Sequence, residues 1–132
     1  MRKLNVLFIV ILLTGCIRSV SKLPWNIHGA TEITLELNPL TTDTALQNRI
    51  RPLTDPVIVQ KLCDEINNAD DAGPWKGAGW HTLTIRKGDQ MWSFKTNGEV
   101  FGPGNSGDFY KFSSSSNIVE EYFHIDTLLR ID

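Results

Sequence analysis

The chain has 132 residues, with 13 Lys and Arg against 15 Asp and Glu and a formal net charge of −2 at pH 7. This balance argues against nucleic-acid binding, which needs a clustered basic surface, and against a polybasic patch for anionic membranes. The length suits one domain with a modest hydrophobic core.

The first residues show the order of features found in a secretory signal. Residues 2–3 are basic, residues 4–13 form an apolar run with a single Asn, and two small residues follow at 14–15. The run is shorter than the roughly 20 residues that a transmembrane helix needs. We therefore predict a signal peptide over residues 1–15.

The end of this segment, Leu13-Thr14-Gly15-Cys16, resembles the lipobox of bacterial lipoproteins. The resemblance implies that the Cys16 thiol receives a diacylglycerol group and that cleavage occurs before this cysteine. Several acyl chains form a durable membrane anchor, because each buried methylene contributes about 0.8 kcal/mol. Ile17 follows instead of Asp, which by the same resemblance implies the periplasmic side of the outer membrane in a Gram-negative cell.

The two cysteines leave an alternative open, because an ordinary secretory signal could be followed by a disulfide between Cys16 and Cys63. If Cys16 carries lipid, Cys63 has no partner. Cys63 falls on the apolar side of a predicted helix and is followed by Asp64 and Glu65, which disfavour the thiolate. We therefore predict that Cys63 is a buried structural thiol.

The sequence divides into three segments: the signal peptide 1–15, the lipidated cysteine with a tether over 16–30, and a single domain over 31–132. The tether contains Pro24 and Gly29 and has no hydrophobic periodicity. It spans at most about 50 Å when fully extended. The domain is therefore expected to work close to the membrane.

In the first half of the domain, alternating apolar and polar residues predict a strand over residues 31–37. Residues 48–53 predict a second, short strand, which Pro52 confines to a sheet edge or end. Asp55 as a capping residue and Pro56 at the first helical position predict the start of a helix, and an apolar stripe predicts that this helix covers 56–68. The stripe consists of Ile58, Val59, Leu62, Cys63 and Ile66, and Asn67-Asn68 predicts a left-handed exit.

In the second half, Asp, Gly and Pro predict a loop over residues 69–79. Asn97-Gly98 predicts a two-residue hairpin turn, because both residues accept positive φ. Asn117 and Glu120 resemble a capping box that begins a final helix running to the C-terminus. The predicted strands of this half are 80–86, 90–96, 99–102 and 109–112.

This element order predicts an α+β fold, with an antiparallel meander covered on one face by two helices. The arrangement resembles a loose group of small bacterial lipoproteins, over about residues 31–125, and implies that fold without lending any chemistry. The matching residues are Asp55-Pro56-Val57-Ile58, Asn67-Asn68-Ala69, the hairpins of 80–102, and Ile118–Phe123.

No metal or cofactor motif emerges from the sequence. The histidines His28, His81 and His124 lack the spacing of a zinc site, and the acidic residues lack the spacing of a calcium loop. Residues 102–107 fit the glycine pattern of dinucleotide binding, but they precede an aromatic strand rather than a helix. We therefore predict no metal and no cofactor.

Two glycine-rich loops with aromatic residues are the sequence's candidate binding surface. Large amphipathic side chains such as these are enriched at interaction hot spots. The segment Ser106-Gly107-x-x-Tyr110 also resembles the Ser-Gly-x-x-Tyr loop of lipid-anchored lysozyme inhibitors, although their disulfide-bonded β-barrel has no counterpart here. The predicted partner-binding residues are Trp75, Trp80, Ser106 and Tyr110.

These features favour an envelope lipoprotein whose domain is not an enzyme and binds an envelope or secreted protein, in an inhibitory, immunity or exclusion role. One alternative is an envelope-maintenance lipoprotein without a discrete ligand. Another is a hydrolase whose site is assembled in space, for example around Ser106 and His81, since the sequence contains no nucleophile elbow.

Overall fold

The computed structural model describes residues 25–40, 44–76, 80–104, 106–114, 116–125 and 128. The predicted signal peptide, Cys16 and most of the predicted tether lie outside these residues. Within them, six strands and three helices confirm the α+β class. In chain order the elements are β1 (Glu32–Glu36), α1 (Thr44–Arg49), α2 (Pro56–Asn67), β2 (Asp70–Lys76), β3 (His81–Lys87), β4 (Gln90–Thr96), β5 (Val100–Gly102), β6 (Ser106–Lys111) and α3 (Ile118–Phe123).

All six strands form one antiparallel sheet in the order β1-β3-β4-β5-β6-β2. The predicted meander is therefore present as β3 to β6, with β1 and β2 added at its two edges. Opposed residues such as Leu83 and Phe94, or Phe101 and Tyr110, lie on the same face. The helices cover this inner face.

The core lies between that inner face and the helices. Val59, Leu62 and Ile66 of α2 and Ile118 of α3 are buried in one cluster with the inward residues of the sheet. The α2 stripe is thus largely as predicted, except that Ile58 is 41% exposed. The inward residues of the sheet include Ile33, Leu35, Leu83, Ile85, Phe94 and Phe101.

Helix α2 begins as the sequence predicts, because the Asp55 carboxylate accepts hydrogen bonds from the N–H groups of Val57 and Ile58. Its predicted left-handed exit is wrong. Asn68 has φ of −103°, and its side-chain amide donates to the Asp64 carbonyl oxygen at 2.8 Å. That bond satisfies a terminal carbonyl without a left-handed residue.

The predicted loop over 69–79 is wrong for residues 70–76, which form strand β2 against β6. Composition misled the prediction, since Gly73 and Pro74 are rare inside strands. Here β2 is an edge strand with a bulge between Asp71 and Gly73, and an edge tolerates a proline that donates no hydrogen bond.

The predicted strand over 48–53 is also wrong. Residues up to Arg49 belong to α1, which is a third helix where two were predicted. Only Leu53 forms a bridge, exchanging two backbone hydrogen bonds with Ile33. The Gln47 amide accepts from the Leu37 N–H and donates to the Leu35 carbonyl. The Gln47 side chain and the Leu53 bridge together cover the edge of β1, which limits the pairing of β1 with another chain.

The predicted two-residue hairpin at 97–98 is instead a three-residue connection, in which only Gly98 has positive φ, at +99°. The side-chain carbonyl oxygen of Asn97 accepts hydrogen bonds from the N–H groups of Glu99 and Val100. The Gly98 carbonyl accepts from the Ile118 N–H at 2.8 Å. The turn is therefore shaped by its contact with the last helix as well as by its own sequence.

Helix α3 is shorter than the predicted final helix, which is interrupted at His124, although Ile125 and Leu128 beyond it are again helical. Asn117 caps it by accepting from the Val119 and Glu120 N–H groups, in agreement with the predicted start. The helix ends at Phe123, because His124 adopts left-handed φ of +54°. The stripe nevertheless continues into the core, since Ile125 is buried beyond the helix end.

Residues 25–30, which were predicted to be tether, pack against the domain. Ile27 is fully buried, and its backbone exchanges two hydrogen bonds with the Asn67 side chain. The Trp25 indole N–H donates to the Ile66 carbonyl at 3.1 Å, and its ring meets Tyr110 edge to face. The packed domain therefore includes residues 25–30, ahead of its predicted start at residue 31.

Replacing Gly98 by Ala is expected to lower the free energy of unfolding by about 3 kcal/mol, because a Cβ would be strained at this φ and would collide with the Asn117 cap. Gly88 also has positive φ, but a Cβ there meets nothing within 4 Å. Gly88→Ala should therefore cost only about 1 kcal/mol. Urea denaturation measures both, and equal losses would contradict the close contact.

The Cys63 thiol should be inert in the folded protein. It is free and fully buried, and burial together with the charge of Asp64 raises its pKa to about 11. In a Cys16→Ser variant, where Cys63 is the remaining cysteine, a thiol-specific chromogenic reagent at pH 8 should react only after denaturation. Rapid modification of the native protein would refute this.

Candidate functional site

Trp80, one of the predicted partner-binding residues, is half-buried against Phe109, with ring centroids 4.9 Å apart. Phe109 is fully buried although it lies outside the main core cluster. Its ring lies against Gly102, where a Cβ would come within 3.0 Å of it. Trp80 therefore helps to cover a small second cluster on the outer face of the sheet.

Tyr110, another predicted partner-binding residue, lies on the opposite face. It neighbours Phe109 in β6, and successive strand residues face opposite sides. Its ring packs edge to face on Trp25, with centroids 4.8 Å apart, and borders the core. The structure therefore places Trp80 and Tyr110 on different sides of the sheet.

The other two predicted residues lie in the ladder between β2 and β6, where Trp75 is opposite Gly107 and Ser106 is opposite Lys76. The side chains of Trp75 and Ser106 lie outside the described part of the structure. The partner-binding role of the four residues stays a prediction.

His81, which the hydrolase alternative would use, is engaged in a hydrogen bond within the fold. The Nδ1 atom of His81 accepts a hydrogen bond from the Asn38 N–H at 3.0 Å. His81 begins β3, and the sheet order places β4 and β5 between this strand and β6, which carries Ser106. In the described parts of the chain, no three His, Cys, Asp or Glu side chains converge where a metal ion could bind.

The sequence did not reveal a groove on the solvent side of α2. The first turn of this helix exposes Val57, which is 78% accessible. The groove has a volume of about 530 Å³ and is lined by Pro56, Val57, Gln60, Lys61 and Asp64. Val57 therefore contributes little to the core, and with Pro56 it forms the apolar part of the groove.

Beside this groove, the packed sides of α2 and α3 enclose polar groups. Glu65 and Tyr122 are each only 7% exposed. The Lys61 ammonium lies 3.4 Å from a carboxylate oxygen of Glu121 and 5.8 Å from the centre of the Tyr122 ring. We call the groove together with Glu65, Glu121 and Tyr122 the helix notch.

Several buried polar atoms in the helix notch lack a hydrogen bond. Within the described residues, the second carboxylate oxygens of Glu65 and Glu121 and the Tyr122 hydroxyl are buried without a hydrogen bond. The Tyr122 hydroxyl lies beside the Glu65 carboxylate, and it can donate to that group as well as accept. Buried acceptors without donors destabilise a fold, so their presence requires an explanation.

Negative charge predominates in the helix notch. Three carboxylates, those of Asp64, Glu65 and Glu121, lie near Tyr122 together with the Lys61 ammonium. Burial raises the pKa of the Tyr122 hydroxyl, and the nearby charges of Glu65, Glu121 and Asp64 raise it further. Negative charge therefore converges on one end of an apolar groove, an arrangement suited to a ligand that carries a cation.

The sequence contained one signal of this site, namely the acidic pairs Asp64-Glu65 and Glu120-Glu121. Each pair alone is typical of a solvated helix surface. Their convergence depends on α2 and α3 lying side by side, which the pattern of either helix cannot show.

No described helix is long and apolar enough to cross a membrane. Comparisons with protein families, with curated proteins and with solved structures found no match for this chain.

Acidification is expected to destabilise the protein through His81. Burial lowers the pKa of His81 below its ordinary value of 6.5, and the bond from Asn38 needs an unprotonated Nδ1. The unfolded chain therefore binds the proton first, so this stabilisation is complete above about pH 6.5 and is lost as the pH falls through the folded-state value.

Urea denaturation between about pH 7.5 and pH 5 tests this expectation. The free energy of unfolding should fall more steeply in the wild-type protein than in His81→Gln, whose side chain can still accept from Asn38. His28 is exposed, so His28→Gln is the matched control and should follow the wild type. Identical slopes for all three proteins would exclude this role of His81.

Proposed function

We propose that this chain is a bacterial lipoprotein, anchored in the cell envelope through a lipid on Cys16, whose domain binds a protein partner without acting on it as an enzyme. The observation that carries the binding role is the helix notch, which places exposed apolar Val57 beside a concentration of acidic groups. The lipobox Leu13–Cys16 carries the anchor.

The state of Cys63 supports the lipid on Cys16. The competing fate of Cys16 is a disulfide, which would need the Cys63 sulfur to be accessible. That sulfur is a free thiol with no exposed surface in the packed core. Bringing a second sulfur to about 2 Å from it would require the core to open.

The position of Trp25 supports an action close to the membrane. Because Trp25 packs against the core, no more than residues 17–24 separate Cys16 from the packed domain, a distance of at most about 30 Å. Such a short tether raises the effective concentration of the domain towards targets near the membrane. Ile17 favours the periplasmic side of the outer membrane as its place in a Gram-negative host, and an inhibitory, immunity or exclusion role fits that position.

The energetics of the helix notch support binding rather than a purely structural role. Buried carboxylate oxygens without donors lower the stability of the free protein, and apolar replacements of similar size would remove that cost. Retaining such groups beside an exposed apolar groove is the pattern of a surface completed by a partner. Envelope and secreted proteins are the partners within reach of a tethered domain.

The anchor is tested by expressing the full chain with a C-terminal tag in a bacterial host, next to Cys16→Ser. We expect a membrane-bound product whose mass shows cleavage before Cys16 and added acyl chains, and a Cys16→Ser product that lacks both. Cys63→Ser is the matched cysteine control and should retain the lipid. A soluble product without acyl chains, or one with Cys16 bonded to Cys63, would refute the anchor.

A further inference from the structure

We propose that the helix notch binds an arginine or lysine side chain that the protein partner presents next to an apolar residue, and that Lys61 occupies the place of this cation in the free protein. The inference rests on the proposed function, since it names the partner chemistry of the same site.

The first argument is charge complementarity. Asp64 lines the groove, and Glu121 and Glu65 lie behind Lys61 around the Tyr122 ring. Lys61 is the single lysine of α2 and α3, and it faces these three carboxylates. A second cation therefore meets a surplus of negative charge, whereas an acidic ligand would be repelled.

The second argument comes from the unpartnered acceptors. Glu65 and Tyr122 are more than nine-tenths buried and lie outside the groove lining, so Glu65 acts on a ligand through its charge. Glu121 uses one carboxylate oxygen for Lys61 and has no partner for the other. Guanidinium and ammonium groups supply only donors, so a basic side chain that takes the place of Lys61 complements the Glu121 carboxylate.

The third argument is the weak hold on Lys61. Its side chain is 62% exposed, and its 3.4 Å distance to Glu121 is longer than the 2.7–2.9 Å typical of charge-assisted hydrogen bonds. An exposed lysine in such a pair contributes little to stability and moves away readily. Lys61 also approaches the Tyr122 ring as a cation over an aromatic face, a position that a planar guanidinium occupies well.

The fourth argument is the apolar end of the groove. Pro56 and Val57 stand in the first turn of α2, and Lys61 follows one helical turn after Val57 on the same side of the helix. A partner segment with an apolar residue beside a basic one can therefore contact Val57 and Glu121 together. The helix notch therefore fits a protein segment that carries both a basic and an apolar residue better than it fits an isolated cation.

The test uses the mature lipidated chain in nanodiscs of zwitterionic phosphatidylcholine, which does not attract basic peptides. The probe is a fluorescein-labelled peptide, Gly-Leu-Arg-Leu-Gly with blocked ends, and its twin has citrulline, the uncharged isostere of arginine. Fluorescence anisotropy should show that the arginine peptide binds about tenfold more tightly than the citrulline peptide.

Variants give changes of opposite sign. Glu121→Gln and the exposed-site change Asp64→Asn should weaken binding of the arginine peptide about five- to tenfold, while Lys61→Met should strengthen it about threefold by removing the competing cation. Asp89 lies in the exposed turn between β3 and β4, so Asp89→Asn makes the same charge change away from the notch and should leave binding unchanged. Thermal melts confirm that each variant is folded.

The contrary results are distinct. Equal binding of the two peptides would overturn the cation site and leave an apolar binding surface, so the proposed function would stand. A weaker affinity of Lys61→Met would overturn the placeholder role of Lys61. Binding of neither peptide would remove the helix notch as the carrier of the proposed function as well. Thermal stabilisation by calcium ions, without binding of either peptide, would indicate that a metal ion and not a basic side chain occupies the helix notch.

Discussion

The contact between the β4–β5 turn and the start of α3 fixes the relation between the sheet and the helix notch. The Gly98 carbonyl accepts from Ile118, while the absence of a Cβ at Gly98 leaves room for the Asn117 side chain that caps the helix. Because α3 is held at this turn, Tyr122 and Glu121 come to lie beside α2. The groups of the candidate site on α3 are therefore positioned in part by a glycine in the turn before β5.

The two sides of α2 are used differently. Val59, Leu62 and Ile66 are closed into the core, and Cys63 among them is inert because of the same burial. Val57 and Lys61 remain in solvent, next to acceptors that no described group satisfies. A core side that is fully packed allows the other side to retain unfavourable polar groups, since a modest cost there does not unfold the domain.

The sequence predicted the elements whose signals are local. The Asp55 cap, the α2 stripe and the strands β1, β3 and β4 follow from hydrogen-bonding side chains and from periodicity. The prediction from sequence failed where a neighbouring element of the fold decides the conformation. Gly73 and Pro74 form a strand because β6 lies beside them, and Gln47 belongs to a helix whose amide covers the edge of β1. Of the candidate site, only the acidic pairs were visible.

The sequence by itself determined the lipobox prediction, the α+β class and the choice of which residues avoid water, because charge order and apolar periodicity act within short stretches of chain. Only the tertiary structure decided that Trp25 belongs to the domain, that Trp80 and Tyr110 lie on different faces, and that Glu65, Glu121 and Tyr122 share one notch. These relations join residues far apart in the chain, and long-range proximity is set by how whole elements pack rather than by any local pattern.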